Sequence, residues 1–439
     1  MKTPICDFVR KYAESGALRL HMPGHKGAGP LGIEHLDITE IKGADSLYEA
    51  DGIIAQSEAN ASLLFGCPTF YSTEGASQCI RAMLHLATCN GNRKVAAGRN
   101  AHRTFLSAAA LLDLQVDWLY PENEGAYLRC DLSAAGLEAY FSDCEDLPAA
   151  VYVTSPDYLG NLLDIGALAA VCHRHGVLLL VDNAHGAYLR FLPNSRYPMD
   201  LGADLCCDSA HKTLPVLTGG AYLHIRDEEL AKDAKDALAL FGSTSPSYLI
   251  LQSLDAANTL LADPAYIRNM VKLCFLADDV RQQLTRHGIS AGLGNEPLKI
   301  VIYPRYYGYS GVEMAEALRQ SCIECEFADP DFLVLMLTPA ITAEDLQRLV
   351  AVLTALPRKD AILTVPPVVA PAEKVLSIRE AVFAPSEVIP VSESEGRILS
   401  AATVGCPPAV PIVVSGERID KTAIDAFHYY GIETCRVCK

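Results

Sequence analysis

Gly176-Val177-Leu178-Leu179-Leu180-Val181-Asp182-Asn183-Ala184-His185-Gly186 reads as a buried strand that ends in a carboxylate and opens into a loop. Its aliphatic run shows no polar alternation, so both faces of the strand are covered, as in a parallel sheet. The residues before it, Ile165–His175, read as a helix. Lys94–Gly98, Val116–Tyr120, Ala149–Thr154 and Ala203–Cys207 read as further short buried strands, with helical stretches between several of them. Alternation of this kind predicts an α/β chain with a mainly parallel sheet covered on both faces. Ligands of such sheets bind outside the carboxyl ends of the strands, and Asp182, Ser209 and Lys212 all fall at or just beyond such ends.

Ser209-Ala210-His211-Lys212-Thr213 follows one of these strands and precedes the loop Leu214–Gly220. A lysine in that place can be solvated, or it can be held as a Schiff base while serine and histidine grip a phosphate. The second arrangement suits pyridoxal 5′-phosphate (PLP). Asp182 is either a turn aspartate or the carboxylate that keeps a pyridine nitrogen protonated, which makes the ring an electron sink. Gly75-Ala76-Ser77 opens a helix whose apolar positions are Ile80, Met83, Leu84 and Ala87. That end is an ordinary N-cap or an anion site built from free N–H groups and the helix dipole. His102, just after the strand Lys94–Gly98, is a surface loop histidine or one that stacks on a flat ring and moves protons. The glycines of His21-Met22-Pro23-Gly24-His25-Lys26-Gly27 suit close backbone approach to a ligand. GxxxxGK[ST], HExxH and GxSxG are absent, so the P-loop, zinc-protease and α/β-hydrolase readings lack their signatures.

The chain has 439 residues, is 50% hydrophobic and carries a formal net charge of −17, enough for two or three domains. No long basic run occurs, which argues against nucleic acid as a partner. The first residues lack the apolar core of a signal peptide, and no apolar stretch is long enough for a membrane span. Fifteen cysteines then suggest free thiols in a reducing cytoplasm. The pairs Cys322/Cys325 and Cys435/Cys438 lie far apart in the chain, and no metal is expected.

A second region begins near Asp263-Pro264. Pro297–Tyr303 reads as a strand, Gly311–Gln320 as a helix, and Glu324–Leu337 as a strand pair broken at Asp329-Pro330-Asp331. Thr342 and Asp345 form a capping box ahead of a helix face of Leu346, Leu349, Val350 and Leu353. Proline-rich Pro357–Pro371 reads as a linker, and Ser377–Lys439 as a tail too short for a large core that packs on the rest. The expected layout is an N-terminal arm over 1–35, a large domain over 36–262, a small α+β domain over 263–360, and a linker with C-terminal segment over 361–439.

Taken together, HMPGHKG at 21–27, Asp37-Ile38-Thr39-Glu40, RNAHRT at 99–104, TSPDYLG at 154–160, DNAHGA at 182–187, SAHKT at 209–213 and TSPSY at 244–248 stand in the order of one family. The chain resembles the ornithine/lysine/arginine decarboxylases of PLP fold type I, in their short bacterial form. The likeness covers most of 20–260 and continues more weakly to the C-terminus. It implies that Lys212 carries the Schiff base, Asp182 pairs with the pyridinium nitrogen, His102 stacks on the ring and His185 lies near the ring hydroxyl. It implies phosphate binding by Ala76, Ser77, Ser209 and His211, and contact of Thr244 and Ser245 with the neighbouring subunit's cofactor, hence a homodimer or larger assembly. Glu326 matches an acidic position that meets the distal cation of the substrate; read alone, it is equally a solvated strand glutamate. The implied reaction is α-decarboxylation of a basic L-amino acid, arginine first and then lysine or ornithine, in polyamine biosynthesis or acid tolerance. Aminotransfer, Cα–Cβ cleavage and PLP binding without turnover stand as rivals on the same scaffold. Departures from the family pattern are Asn183 for glutamate, Gly75-Ala76-Ser77 for Gly-Ser-Thr, Tyr188 for histidine, and, near the C-terminus, Pro407-Pro408-Ala409 and Ser415-Gly416-Glu417.

Overall fold

A computed structural model describes residues 1–122, 126–369, 371–401 and 408–439. Ala370 in the expected linker and Pro407 among the C-terminal departures lie outside the described residues. The strands in chain order are β1 (Thr69–Ser72), β2 (Lys94–Gly98), β3 (Gln115–Leu119), β4 (Ala150–Thr154), β5 (Leu178–Asp182), β6 (Leu205–Asp208) and β7 (Ala221–Ile225). They continue with β8 (Ser290–Leu293), β9 (Lys299–Tyr303), β10 (Phe327–Ala328), β11 (Leu333–Met336), β12 (Ser386–Pro390), β13 (Leu399–Ala401) and β14 (Thr434–Cys438). The chain forms two compact units, one of Met1–Gly91 with Leu178–Arg268 and one of Asn92–Val177 with Asn269–Lys439.

In the first unit the strand order is β1-β7-β6-β5. β5 and β6 run parallel with Asp182 opposite Cys207, whereas β7 is antiparallel to both β6 and β1. Leu179, Leu180 and Val181 are fully buried, as the unalternated aliphatic run requires. The helix Ala76–Thr88 packs on β6 and β7 and buries Cys79, Ile80, Met83 and Leu84. The helix Pro4–Glu14 presents its N-terminal N–H groups to a buried carboxylate: Asp255 Oδ2 accepts from Ile5 N at 3.0 Å and Cys6 N at 2.9 Å. Two orphan donors of that helix are thereby satisfied. His21 and His25 of the N-terminal motif bond to Tyr12 and Asp37, at 2.6 and 3.2 Å.

In the second unit β2 lies between β3 and β4, with all three parallel. The predicted helix appears as Ile165–Arg174, started by Asp164, whose side chain accepts from Ala167 N at 3.0 Å. A four-stranded antiparallel sheet in the order β10-β11-β9-β8 carries the expected helix Gly311–Gln320 and the predicted Thr342/Asp345 capping box. The C-terminal segment packs on the helix Arg103–Leu112, where Arg379 donates to Ala110 O at 2.8 Å. It builds an antiparallel sheet in the order β12-β14-β13 with a core of its own, in which Val391, Leu399, Ile419, Phe427 and Val437 are buried. The helix Lys421–Tyr429 contributes Phe427 and Ala426 to that core. The core is small, as expected of this length, and forms because one helix can cover one face of three short strands.

Candidate active site

β5 delivers Asp182 at its carboxyl end, 3% exposed. Its Oδ1 accepts from Ala184 N at 3.1 Å and lies 3.7 Å from Cys207 Sγ on the paired strand. The turn that follows carries His185, also buried. One strand across, β6 ends at Asp208, and the chain enters the one-turn helix Ala210–Thr213 with Ser209 at its N-cap. This turn holds Lys212 so that its Nζ stands 2.9 Å from His185 Nε2. Two strand ends thus bring an amine, an imidazole and a buried carboxylate to one edge of the sheet.

The loop after Lys212 returns as a strap. Gly219 O accepts from Gly75 N at 2.7 Å, and Gly220 O accepts from His211 N at 3.2 Å and from His211 Nδ1 at 3.1 Å. Gly219 has φ +99°, and a Cβ there would stand 2.9 Å from Thr73 O, so only glycine fits. The strap ties the SAHKT turn to the N-terminus of the helix Ala76–Thr88. Gly75, with φ +72°, is that helix's N-cap and Ser77 its second residue, so Ser77 is not an ordinary cap. Ala76 and Ser77 are therefore the first two residues of a thirteen-residue helix, at the end where the helix dipole favours anions. Beside this turn, Glu74 accepts from Ser243 N, and Gly242 lies against Tyr48 and Gln78. Thr244 and Ser245 follow directly and are exposed.

His102 and Glu326 belong to the other unit. His102 is the N-cap of the helix Arg103–Leu112, and its Nδ1 accepts from Thr104 N at 3.1 Å. Reading the sequence missed this cap, since histidine is not a favoured capping residue. Glu326 is half-buried, and its Oε1 accepts from Tyr158 OH at 2.8 Å, so it is no solvated strand glutamate. Tyr158 belongs to a loop pinned by Lys299, whose fully buried Nζ reaches Glu296 Oε2 and Asp157 O, each at 2.9 Å. Asp157 is buried, which pushes its carboxyl up to about 6 against the pull of the Asn161 and Leu159 bonds. Among the described residues, no group of three or more His, Cys, Asp or Glu is arranged to hold a metal ion, and no helix is long and apolar enough to cross a membrane.

The residues of the first unit fit PLP. The cofactor needs an amine, a buried carboxylate for its ring nitrogen and an anion site for its phosphate; Lys212, Asp182 and the strapped helix start provide these. Sequence reading found each of them, but not the Gly219-Gly220 strap. The bland signal was the glycine pair that closes the loop.

Comparison with known proteins agrees with this chemistry. Residues 3–345 match the family model of the Orn/Lys/Arg decarboxylase major domain, and residues 361–433 match that of the C-terminal domain. The arginine decarboxylase of Bacillus subtilis is 29% identical over 458 residues, covering 96% of this chain and 92% of that protein. The arginine decarboxylase of Halalkalibacterium halodurans is 29% identical over 457 residues, covering 96% and 92%. In fold, the crystal structure of a lysine decarboxylase from Francisella novicida superposes with a TM-score of 0.83 at 17% identity, covering 100% of this chain and 81% of that one. A serine palmitoyltransferase from Sphingomonas wittichii superposes with a TM-score of 0.58 at 14% identity over 80% of this chain and 83% of that one, a likeness of fold. With its major and C-terminal domains both matched, the chain belongs to the Orn/Lys/Arg decarboxylase family of PLP-dependent enzymes.

Proposed function

We propose that this protein removes the α-carboxylate of a basic L-amino acid, arginine first and then lysine or ornithine, to give the amine and CO2. The observation that carries the reading is Lys212 Nζ held 2.9 Å from His185 Nε2 beside the buried Asp182. Arginine comes first because the full-length relatives named above are arginine decarboxylases.

Bound PLP supplies an electron sink for the pair of the breaking Cα–carboxylate bond. Asp182 holds the proton on the ring nitrogen that makes the sink effective. Lys212 would anchor the cofactor and would hold the proton that returns to Cα. His185 orients Lys212 Nζ and lies near the ring hydroxyl. Ala76, Ser77, Ser209 and His211 bind the phosphate, with the helix dipole adding to their attraction. His102 stacks on the ring, its plane fixed by the bond from Thr104 N. Glu326, aligned by Tyr158, binds the distal cation of the substrate. Thr244 and Ser245 reach the cofactor of a second subunit, which makes the working form a homodimer. Their exposure beside the Glu74–Gln78 turn supports this. A cytoplasmic place in polyamine biosynthesis completes the reading.

The purified protein, loaded with PLP, is to be incubated separately with arginine, lysine and ornithine while CO2 and amine are measured. The expected result is equimolar CO2 and amine, with arginine giving the highest kcat/KM. Keto-acid formation without CO2 would overturn the reading, and a clear preference for lysine would overturn its order of substrates.

A further inference from the structure

We infer that the buried pair Asp208–His224 is a positioning device for Asp182, acting through Asn183. This rests on the reading of Asp182 as the partner of the PLP ring nitrogen.

Asp182 and Cys207 are paired residues on the parallel strands β5 and β6. Successive side chains alternate in a strand, so Asn183 and Asp208 both lie on the face opposite to Asp182. Asn183 is tied to β6 twice there. Its backbone N–H donates to Cys207 O at 3.0 Å, and its Nδ2 donates to Asp208 Oδ1 at 2.6 Å. Asn183 is fully buried, and its Oδ1 has no partner among the described residues, so Asp208 alone orients the amide.

The second oxygen of Asp208 accepts from Tyr197 OH at 3.1 Å and faces His224 Nε2 at 3.1 Å. His224 Nδ1 in turn stands 2.9 Å from Thr69 Oγ1, whose hydroxyl donates to Cys67 O at 3.0 Å. Thr69 has one hydroxyl hydrogen, and it is spent on Cys67. With that hydrogen on Cys67, Nδ1 is left to donate; burial opposes a charge on this imidazole, but the Asp208 carboxylate beside Nε2 raises it towards the doubly protonated form. Around it stand the rings of Phe65, Tyr197 and Tyr222 and the thiol of Cys67, which also favours the charged imidazole. Asp208, His224, Tyr197 and Asn183 are all 0% exposed.

A wholly buried ion pair is a poor way to add stability, because well-packed apolar side chains do as well. What this pair provides is fixed geometry and balanced charge one strand from Asp182. With His224 neutral, the Asp208 carboxylate would stand uncompensated beside a second carboxylate. A like charge favours the proton-bearing form of its neighbour. Asp182 would then hold the ring nitrogen less firmly.

The test compares the wild-type holoenzyme with His224→Gln, Asp208→Asn, the D208N/H224Q double variant and Asn183→Ala. Three quantities are read: PLP dissociation constant, pH midpoint of the visible absorption of Lys212-bound PLP, and Tm of the apo form. H224Q is expected to weaken PLP about tenfold and to move the midpoint upward, because a ring that has lost its nitrogen proton withdraws fewer electrons from the lysine linkage. The double variant, neutral on both sides, is expected to recover most of both losses. N183A leaves the ion pair whole, so it is the arm that survives if the charge variants do not fold. It is expected to reproduce the weakened PLP binding. Lowered apo Tm with wild-type PLP affinity and midpoint in the variants that fold, N183A included, would make the pair merely structural and overturn the inference. If the wild type itself gives no lysine-bound absorption, the reading of the site falls, and the inference with it.

Discussion

Lys212 and Asp182 stand at the ends of neighbouring parallel strands, so their removal separates two roles. Lys212→Ala is expected to abolish the visible absorption of bound PLP and to lower kcat by roughly 10³-fold or more, followed by CO2 release and absorption spectroscopy. Asp182→Asn keeps the shape of the site and is expected to lower kcat roughly 10²- to 10³-fold with the absorption band retained. A band lost in Asp182→Asn would make Asp182 a binding group alone. Lys299 poses a different question, because its amine is buried between Glu296 and the Asp157 carbonyl. Lys299→Met leaves a buried carboxylate uncompensated, at a cost of about 3–5 kcal/mol, and Glu296→Gln in the same chain should recover much of it in chemical denaturation. At this scale the residues that gather at the ends of β5 and β6 were legible where a motif surrounds them: Asp182, His185, Ser209, His211 and Lys212. Asp208 and His224 were not, because nothing in a single strand says which residue of the next strand will face it.

The helix Arg103–Leu112 begins at His102, so the cap and the proposed ring stack can be tested apart in one side chain. Asparagine is also a good N-cap, so His102→Asn should hold Tm near the wild type while losing the flat ring, with PLP bound up to about tenfold more weakly. His102→Ala loses the cap as well and should cost a further ~1 kcal/mol by thermal melts. Equal PLP affinity in His102→Asn and the wild type would remove His102 from the cofactor site. Helix starts were readable when the reading looked for them: Thr342 with Asp345 was recognised, while Ser310 with Glu313 and Ser377 with Glu380 form the same capping box and passed unnoticed. Strands β1 and β7 were not predicted, although Ala221–Ile225 is buried throughout. Four or five apolar residues fit a strand and a helical turn equally, and only the neighbouring strand decides between them.

Over the whole molecule, the buried titratable groups tilt stability towards mild acid. Burial raises Asp157 to about 6 and Asp329 to about 7 from a usual 3.8, so the folded state binds more protons and stability falls as pH rises through that window. For His224, burial opposes the charge, but Asp208 raises it to about 9 from 6.5. Its contribution is full below 6.5 and is lost as pH climbs through about 9. On the acid side, backbone N–H bonds from Ser310 and Ser377 hold Glu313 and Glu380 below the usual range, and that stability is lost as pH falls through it. The net charge of −17 adds self-repulsion that eases as carboxylates protonate. Tm of the apo protein is therefore expected to peak at about pH 5–6 and to decline towards pH 9 in differential scanning calorimetry. A maximum at pH 8 or above would contradict the assignment of these buried groups. The sequence by itself determined the α/β class, the strand ends that bear Asp182 and Lys212, the cofactor and the family, because aliphatic runs and ordered motifs are local and survive in one dimension. Only the tertiary structure decided the Gly219-Gly220 strap, the Asp208–His224 pair, the partner of Glu326 and the separate core of the C-terminal sheet. Each of these depends on which distant strand or loop lies alongside, and that is settled by burial and register across the sheet, not by spacing along the chain.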